Sequence, residues 1–432
     1  MDETTWSLVL ASALFVLLAS GLWVALSLAA IGIATMAVFT SVPAGKVLAV
    51  SSWSTANAWA LVSLPLFIWM AEILFRTRLS ETMFAGLAPW LNRLPGRLVH
   101  VNILGCGLFA AVCGSSSATC ATIGRMTVPE LTKRGYDERT IIGTLAASGT
   151  LGLMIPPSIG MIVYGVVANV SITKLFIAGV LPGLLLITLL MTAVVVWALL
   201  NPGKTPSAPI AASWRQRFYD ARYLLPVVGL IVAVLGSIYA GLATPTEAAA
   251  LGVAGALVLS ALSRTLTWEN FSASVLGATR TACMIGFITI AASFLSTAMG
   301  YSGIPRLFAE GVAALNLSRV ELIAILSVLY TILGCFLEGT SLVVLTGAVI
   351  MPLVVKAGID PVWFGIYLIV MLEISLVTPP VGINLFVLQG MTGRDLMYVA
   401  NATLPYLGVL FVFLVLIVAF PEIVLYLPET IK

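Results

Sequence analysis

Four short stretches carry polar oxygen where the surrounding chain is apolar. "CGSSSATC" (Cys113–Cys120) holds three consecutive serines and a threonine, and "LEGTSL" (337–342) groups a glutamate, a glycine and two hydroxyls. Two others contain adjacent prolines, "GTLGLMIPPSIG" (149–160) and "LVTPPVGINLF" (376–386). Proline lacks a backbone donor and leaves the carbonyl of the preceding turn without its usual partner, so two in a row must open a helix. The freed carbonyls, with Ser158 or Thr378, form a cluster of neutral oxygens. Such clusters suit an alkali cation, and unwound helices supply them. Half-helix N-termini carry partial positive charge and suit a carboxylate. The predicted chemistry is ion and anion binding. Either motif alone has a plainer reading, since serine in a membrane helix usually packs or bonds to backbone and a Pro-Pro pair is often a kink. Both motifs occurring twice favours a paired site.

The elements that position these stretches must cross a bilayer. The chain has 432 residues, 60% hydrophobic and 9% charged, with a mean hydropathy of +1.10. Soluble domains carry about 25% charged residues, so the sequence predicts an all-α integral membrane protein. Apolar runs such as Leu181–Leu200 and Leu404–Phe420 match the roughly 20 residues of a membrane-spanning helix, and the short alternating segments of a β-barrel are missing. The start, "MDETTWSLVL", has two acids and no base, which is not a cleavable secretory signal. There is no basic tail, no GxGxxG and no GKS or GKT, so nucleic-acid binding and nucleotide hydrolysis have no support. A membrane enzyme is disfavoured by the lack of paired intramembrane Asp, Glu or His. A passive channel is disfavoured by the two broken-helix sites.

Spans are predicted at 6–22, 24–41, 56–75, 139–168, 173–200, 223–243, 246–263, 281–300, 361–390 and 396–425. The polar stretch 201–222 reads as a linker between a first repeat (1–200) and a second (223–432), while 77–97 and 301–319 read as lying along the interfaces. Five landmark pairs are each separated by 223 residues: Pro129 and Pro352, Gly135 and Gly358, Asp137 and Asp360, Pro156 and Pro379, Pro182 and Pro405. Five crossings per half would invert the second repeat, as in secondary transporters. With the N-terminus outside, fifteen of the 21 basic residues fall on the inner side. Both termini are then expected outside and the linker in the cytoplasm. This count holds only if 98–124 and 320–356 each enter and leave on one side. They are therefore predicted to be re-entrant hairpins with tips at Cys113–Ser117 and Glu338–Ser341, sheltered by protein or a water-filled cavity.

Ionisable residues inside apolar segments are functional candidates, here Glu338 and Glu373. Glu72 and Glu247 read as near-interface. Arg125 reads as an inner-face anchor, with contact to an anionic substrate as its alternative. Cys106, Cys113 and Cys120 recur every seven residues, suggesting one helix face, and all five cysteines read as small packing residues. His100 reads as an interfacial anchor.

"GLFAAVCGSSSATCATIGRMTVPELTKRGYD", "AASGTLGLMIPPSIGMIVYG", "TPPVGINLFVLQG" and "ATLPYLGVLF" closely resemble the large membrane subunit of tripartite ATP-independent periplasmic (TRAP) transporters. The resemblance covers essentially the whole chain. It implies an inverted-repeat ion-transporter-type fold with a stator and a moving transport domain, two re-entrant hairpins and two broken helices. It implies elevator-type, sodium-driven uptake of an organic anion (a dicarboxylate, another carboxylic acid or a sialic acid) across the bacterial inner membrane, with sodium as coupling ion and no cofactor. It further implies two partners, a small four-helix membrane subunit and a periplasmic substrate-binding protein. Residue 1 leads straight into the first large-subunit span, so the small subunit is expected as a separate chain. The first sodium site would involve Ser115, Ser116, Ser117, Gly152, Pro156 and Ser158; the second would involve Gly339, Thr340, Ser341, Thr378, Pro379 and Gly382. Ser116, Ser117, Thr340 and Asn384 are expected against the substrate, with Arg125 and Glu338 as further candidates. The second tip reads "LEGTS" where many members carry an aspartate-containing tip. The alternative function is a stand-alone ion-coupled carboxylate carrier that needs no binding protein.

Overall fold

The computed structural model describes residues 3–77, 79–206, 213–304, 310, 317–335, 337 and 339–430. Their regular structure is all helix. Five stretches are each long and apolar enough to cross a bilayer: Ile172–Leu200, Trp214–Tyr239, Pro245–Leu262, Trp268–Ser302 and Leu396–Ala419. Two bent pairs add to these, Ala44–Ala56 with Trp59–Phe75 at 57° and Glu138–Met154 with Ile159–Val167 at 42°. This is a multi-pass membrane protein.

The helices sort into two packed groups. In one, Val24–Phe39, Trp59–Phe75, Leu225–Tyr239, Pro245–Leu262 and Trp268–Ser302 pack on one another. Burial in Leu225–Tyr239 is confined to Val227, Leu230, Val234 and Ile238. That spacing of three to four makes one stripe and leaves the other faces apolar and free for lipid. In the other group, His100–Cys113, Ser116–Lys133, Glu138–Gly149, Ile172–Leu200, Pro361–Leu376 and Leu396–Ala419 pack together. Here every residue from Trp363 to Leu376 is buried, as expected of a helix apolar all round.

Each landmark pair occupies the same local structure in both halves. Gly135 and Gly358 adopt φ of +79° and +67°, the left-handed conformation that glycine takes without a Cβ penalty. Two residues later an aspartate caps the next helix. Asp137 accepts from Thr140 N at 3.1 Å, and Asp360 accepts from Val362 N and Trp363 N at 2.8 and 3.0 Å. Pro129 and Pro352 lie within helices Ser116–Lys133 and Gly339–Lys356. Pro182 and Pro405 lie within Ile172–Leu200 and Leu396–Ala419. The bonds Pro156–Pro157 and Pro379–Pro380 are both cis and both sit at helix breaks.

Several boundaries differ from the sequence reading. Helix Ala44–Ala56 was not expected, because its lysine and four hydroxyls break up the apolar run. Helix Trp268–Ser302 starts thirteen residues before 281, its first turns hidden by Glu269, Ser272 and Arg280. At about 1.5 Å per residue its 35 residues exceed the ~30 Å hydrocarbon core. The 201–222 stretch is partly ordered, with helix Trp214–Ala221 inside it. The outgoing helix of the first hairpin runs to Lys133, past the expected end at 124.

Candidate functional site

The first hairpin is built by a glycine and a serine. His100–Cys113 ends at Gly114, φ +65°, and Ser115 opens Ser116–Lys133. This tip is seated in the Pro-Pro break. Ile159 N donates to Gly114 O at 3.2 Å. A Cβ on Gly114 would lie 2.6 Å from Pro157 O, and one on Gly152 would lie 2.4 Å from Ser115 O. Both positions need glycine because backbone approaches backbone. The structure thus brings Ser115 against Gly152 and Gly114 against Pro157. Ser158 is fully buried and caps Ile159–Val167 by accepting from Met161 N at 3.4 Å.

The three serines part ways. Ser115 and Ser117 line a cavity of about 420 Å³ together with Glu72, Phe75, Thr281 and Val387. Ser116 is 4% exposed and turns inward to Asn384, with Oγ 3.1 Å from Oδ1 and 3.0 Å from Nδ2. The Asn384 amide also donates to Ala146 O at 3.0 Å. Asn384 is therefore fully buried, and it joins the helix after the second break to both the first tip and helix Glu138–Gly149.

The second hairpin pairs Arg319–Gly334 with Gly339–Lys356. Thr340 and Ser341 are buried; Glu338 lies outside the described residues. This hairpin also meets its own break. A Cβ on Gly334 would lie 2.4 Å from Ser375 Cβ, and Cys335 Sγ is 3.4 Å from Pro379 O. Thr378 Oγ1 donates back to Ile374 O at 2.6 Å. Gly382, φ +41°, opens Ile383–Thr392, so no side chain caps that helix, unlike Ser158 in the first half.

Phe75 stands between the tip cavity and a second one. The Arg125 guanidinium lies 4.4 Å over the Phe75 ring, and Phe75 borders both spaces. The second cavity, about 710 Å³, is lined by Arg125, Lys133, Arg134, Glu130 and Phe84 among others. Arg134 pairs with Glu130 at 2.5 Å, leaving a net positive wall suited to an anion.

Four residues stand elsewhere than the sequence suggested. Glu72, read as near-interface, lines the tip cavity, pairs with Arg76 at 2.9 Å and sits where a side chain on Gly277 would be. His100 is fully buried, with Nε2 2.7 Å from Pro95 O, so it is no interfacial anchor. Cys113 and Cys120 lie on opposite sides of the Gly114–Ser115 break, so the seven-residue spacing does not mark one helix face. Glu247 forms a capping box with Thr244 at the exposed start of Pro245–Leu262. Glu373 is fully buried, and among the described residues no donor meets its carboxyl oxygens in good hydrogen-bond geometry. The Thr150 side chain stands beside it, with its hydroxyl committed to Ala147 O at 2.7 Å. No local pattern in the sequence pairs these two.

The family model for the tripartite ATP-independent periplasmic transporter, DctM component, matches residues 11–423. A C4-dicarboxylate TRAP transporter large permease protein DctM from Pseudomonas aeruginosa is 34% identical over 383 residues, 88% of this chain and 89% of that protein. A sialic acid TRAP transporter large permease protein SiaM from Vibrio cholerae is 29% identical, covering 86% of each. Among solved structures, the YdaH transporter of Alcanivorax borkumensis has a similar fold. Its TM-score is 0.59 at 14% identity, covering 87% of this chain and 88% of that one.

Proposed function

We propose, because this chain belongs to the DctM component family of tripartite ATP-independent periplasmic transporters, that it is the transport subunit of a sodium-coupled organic-anion uptake system in the bacterial inner membrane. Its substrate carries a carboxylate, as the substrates named for the dicarboxylate and sialic acid relatives do. It works with a small membrane subunit and a periplasmic binding protein, and it is no enzyme.

The observation that carries this reading is the seating of the first tip in its Pro-Pro break. There the Pro157 carbonyl of the opened helix stands beside Gly114, and Ser115 and Ser117 line a 420 Å³ cavity with Ile159. Sodium needs several oxygens, and neither the serine tip nor the break supplies enough alone. Joining them makes ion binding depend on the position of the hairpin, which is how coupling arises. The second tip, with Gly339, Thr340 and Ser341 near the Thr378–Gly382 break, provides the second sodium site. The substrate carboxylate sits between the two. The two hairpins, together with Glu138–Gly149 and Pro361–Leu376, move against the group containing Trp268–Ser302, an elevator-type motion. Arg125 and the basic wall beyond Phe75 receive the anion on the inner side.

Reconstitution in proteoliposomes tests this. An inward sodium gradient is expected to drive saturable uptake of a carboxylate only when the small subunit and loaded binding protein are both supplied. Equal uptake by this chain alone would favour a stand-alone carrier, and uptake indifferent to sodium would sink the coupling.

A further inference from the structure

Helix Trp214–Ala221, "WRQRFYDA", packs across helix Leu79–Leu91 at one end of the apolar stretch that continues to Tyr239. Trp214, Phe218 and Tyr219 are all more than half exposed. Trp90 meets Trp214 and Phe218 edge-on, with centroids at 6.4 and 5.3 Å. Exposed aromatic rings interleaved with arginine at the end of a span are the composition of a segment lying at the headgroup level.

One residue of this helix behaves otherwise. Arg217 is only 5% exposed, and its Nε is buried without a hydrogen-bond partner. Its guanidinium stacks on Trp214 at 5.0 Å, and that of Arg93 lies over the same ring at 5.4 Å. Among the described residues neither arginine has a carboxylate partner, the ion pairs being made elsewhere. The nearest acid in sequence, Asp220, is engaged by Gln216 at 2.9 Å. Two cations share one indole, one of them largely withdrawn from water, with no counter-charge among the described residues. An anion would offset that arrangement.

We propose that Arg93 and Arg217, arranged around Trp214, form a binding site for a phosphate ester, supplied by the headgroup of an anionic phospholipid. The planar guanidinium fork matches phosphate oxygens two at a time, and basic pockets beside spans take anionic headgroups. The flanking Trp214, Phe218 and Tyr219 rings are exposed and belong at the headgroup level, which favours a lipid over soluble phosphate.

The test uses the purified full chain in detergent, with phosphatidylglycerol, phosphatidylcholine and inorganic phosphate as separate probes, read by native mass spectrometry and thermal unfolding. Wild type is expected to retain phosphatidylglycerol under conditions that strip phosphatidylcholine, and to melt higher with it. Arg217→Gln and Arg93→Gln should each weaken that binding by about tenfold, the worth of one charge-assisted hydrogen bond. Arg93 is exposed, so its variant keeps the test alive where Arg217→Gln fails to fold. An arginine-dependent shift with inorganic phosphate alone would support the site and assign it a soluble ligand. Equal phosphatidylglycerol binding by wild type and both variants would overturn the site, as would stabilisation appearing only when the small membrane subunit is added.

Discussion

The two hairpins differ in what holds them to the breaks beside them. The first is held by backbone: Gly114 O accepts from Ile159 N, and Gly114 and Gly152 leave no room for a Cβ. Asn384 then ties Ser116 to Ala146. Among the described residues the second meets its break through side chains, with Gly334 against Ser375 and a sulfur contact from Cys335 to the Pro379 carbonyl. A Cβ on Gly339 would meet only Leu372 side-chain atoms, the nearest at 3.4 Å. Among the described residues, similar sequence landmarks thus meet their breaks through backbone in one half and through side chains in the other.

Glycine substitutions probe that contrast hardest. Gly152→Ala pushes a methyl into the Ser115 carbonyl and should cost at least ~1–3 kcal/mol of packing strain, with uptake cut by about tenfold or more. Gly229→Ala, where a Cβ meets nothing within 4 Å, should leave uptake within about twofold. Gly334→Ala, which presses on the Ser375 side chain instead of a backbone carbonyl, should fall between the two, and damage from it equal to that of Gly152→Ala would end the distinction between the joints. Next comes Asn384→Ala, which strands Ser116 and the Ala146 carbonyl. A lost buried partner costs about 1–3 kcal/mol, so melting temperature and uptake should both fall, with uptake kinetics and thermal unfolding as the checks. Unchanged stability would mean that the bridge between halves carries no load.

A smaller and more specific effect is expected from the cavity-facing hydroxyl. Ser117→Ala should raise the sodium concentration for half-maximal uptake without loss of expression, and Thr340→Ala should do the same from the other tip. Measuring sodium dependence for both sharpens the comparison, because a shift in one alone would leave a single ion site. The smallest effect belongs to the surface. Arg394 pairs with Glu138 at 2.7 Å, one partner 52% exposed and the other 30%. Exposed ion pairs contribute little, so Arg394→Ala should barely move the melting temperature in 0.15 M salt. A large drop would show that the two halves are held together at this face.

What the sequence disclosed was local. Gly135, Asp137 and their counterparts at 358 and 360 announced a left-handed turn followed by an N-cap, because turn and cap chemistry depend on neighbours a few residues away. The prolines announced the breaks for the same reason. The first hydroxyl-rich tip was legible as a helix break, but the destination of each hydroxyl was not. Ser116 finds Asn384 at a separation of 268 residues, and no periodicity encodes that meeting. His100 and Glu72 were misplaced because a polar residue beside an apolar run looks alike whether it faces headgroups or a neighbouring helix. Ala44–Ala56 was invisible because its hydroxyls bond to their own backbone, as Ser51 does to Val47 O at 2.8 Å, and need no apolar run.

Glu373 and Thr150 are neighbours in space, and they are also 223 residues apart in the chain, the same interval that separates every landmark pair. In the two-repeat arrangement proposed from the sequence, they are one position met twice. Were the two halves identical separate subunits, symmetry would force the same residue onto both sides of this contact. Two glutamates there would be like charges crowded into a dry interior, and two threonines would leave no acid at all. An acid facing an alcohol is available only to a single polypeptide whose halves mutate independently. Covalent joining of the halves therefore makes possible a centre that no homodimer of this architecture could encode.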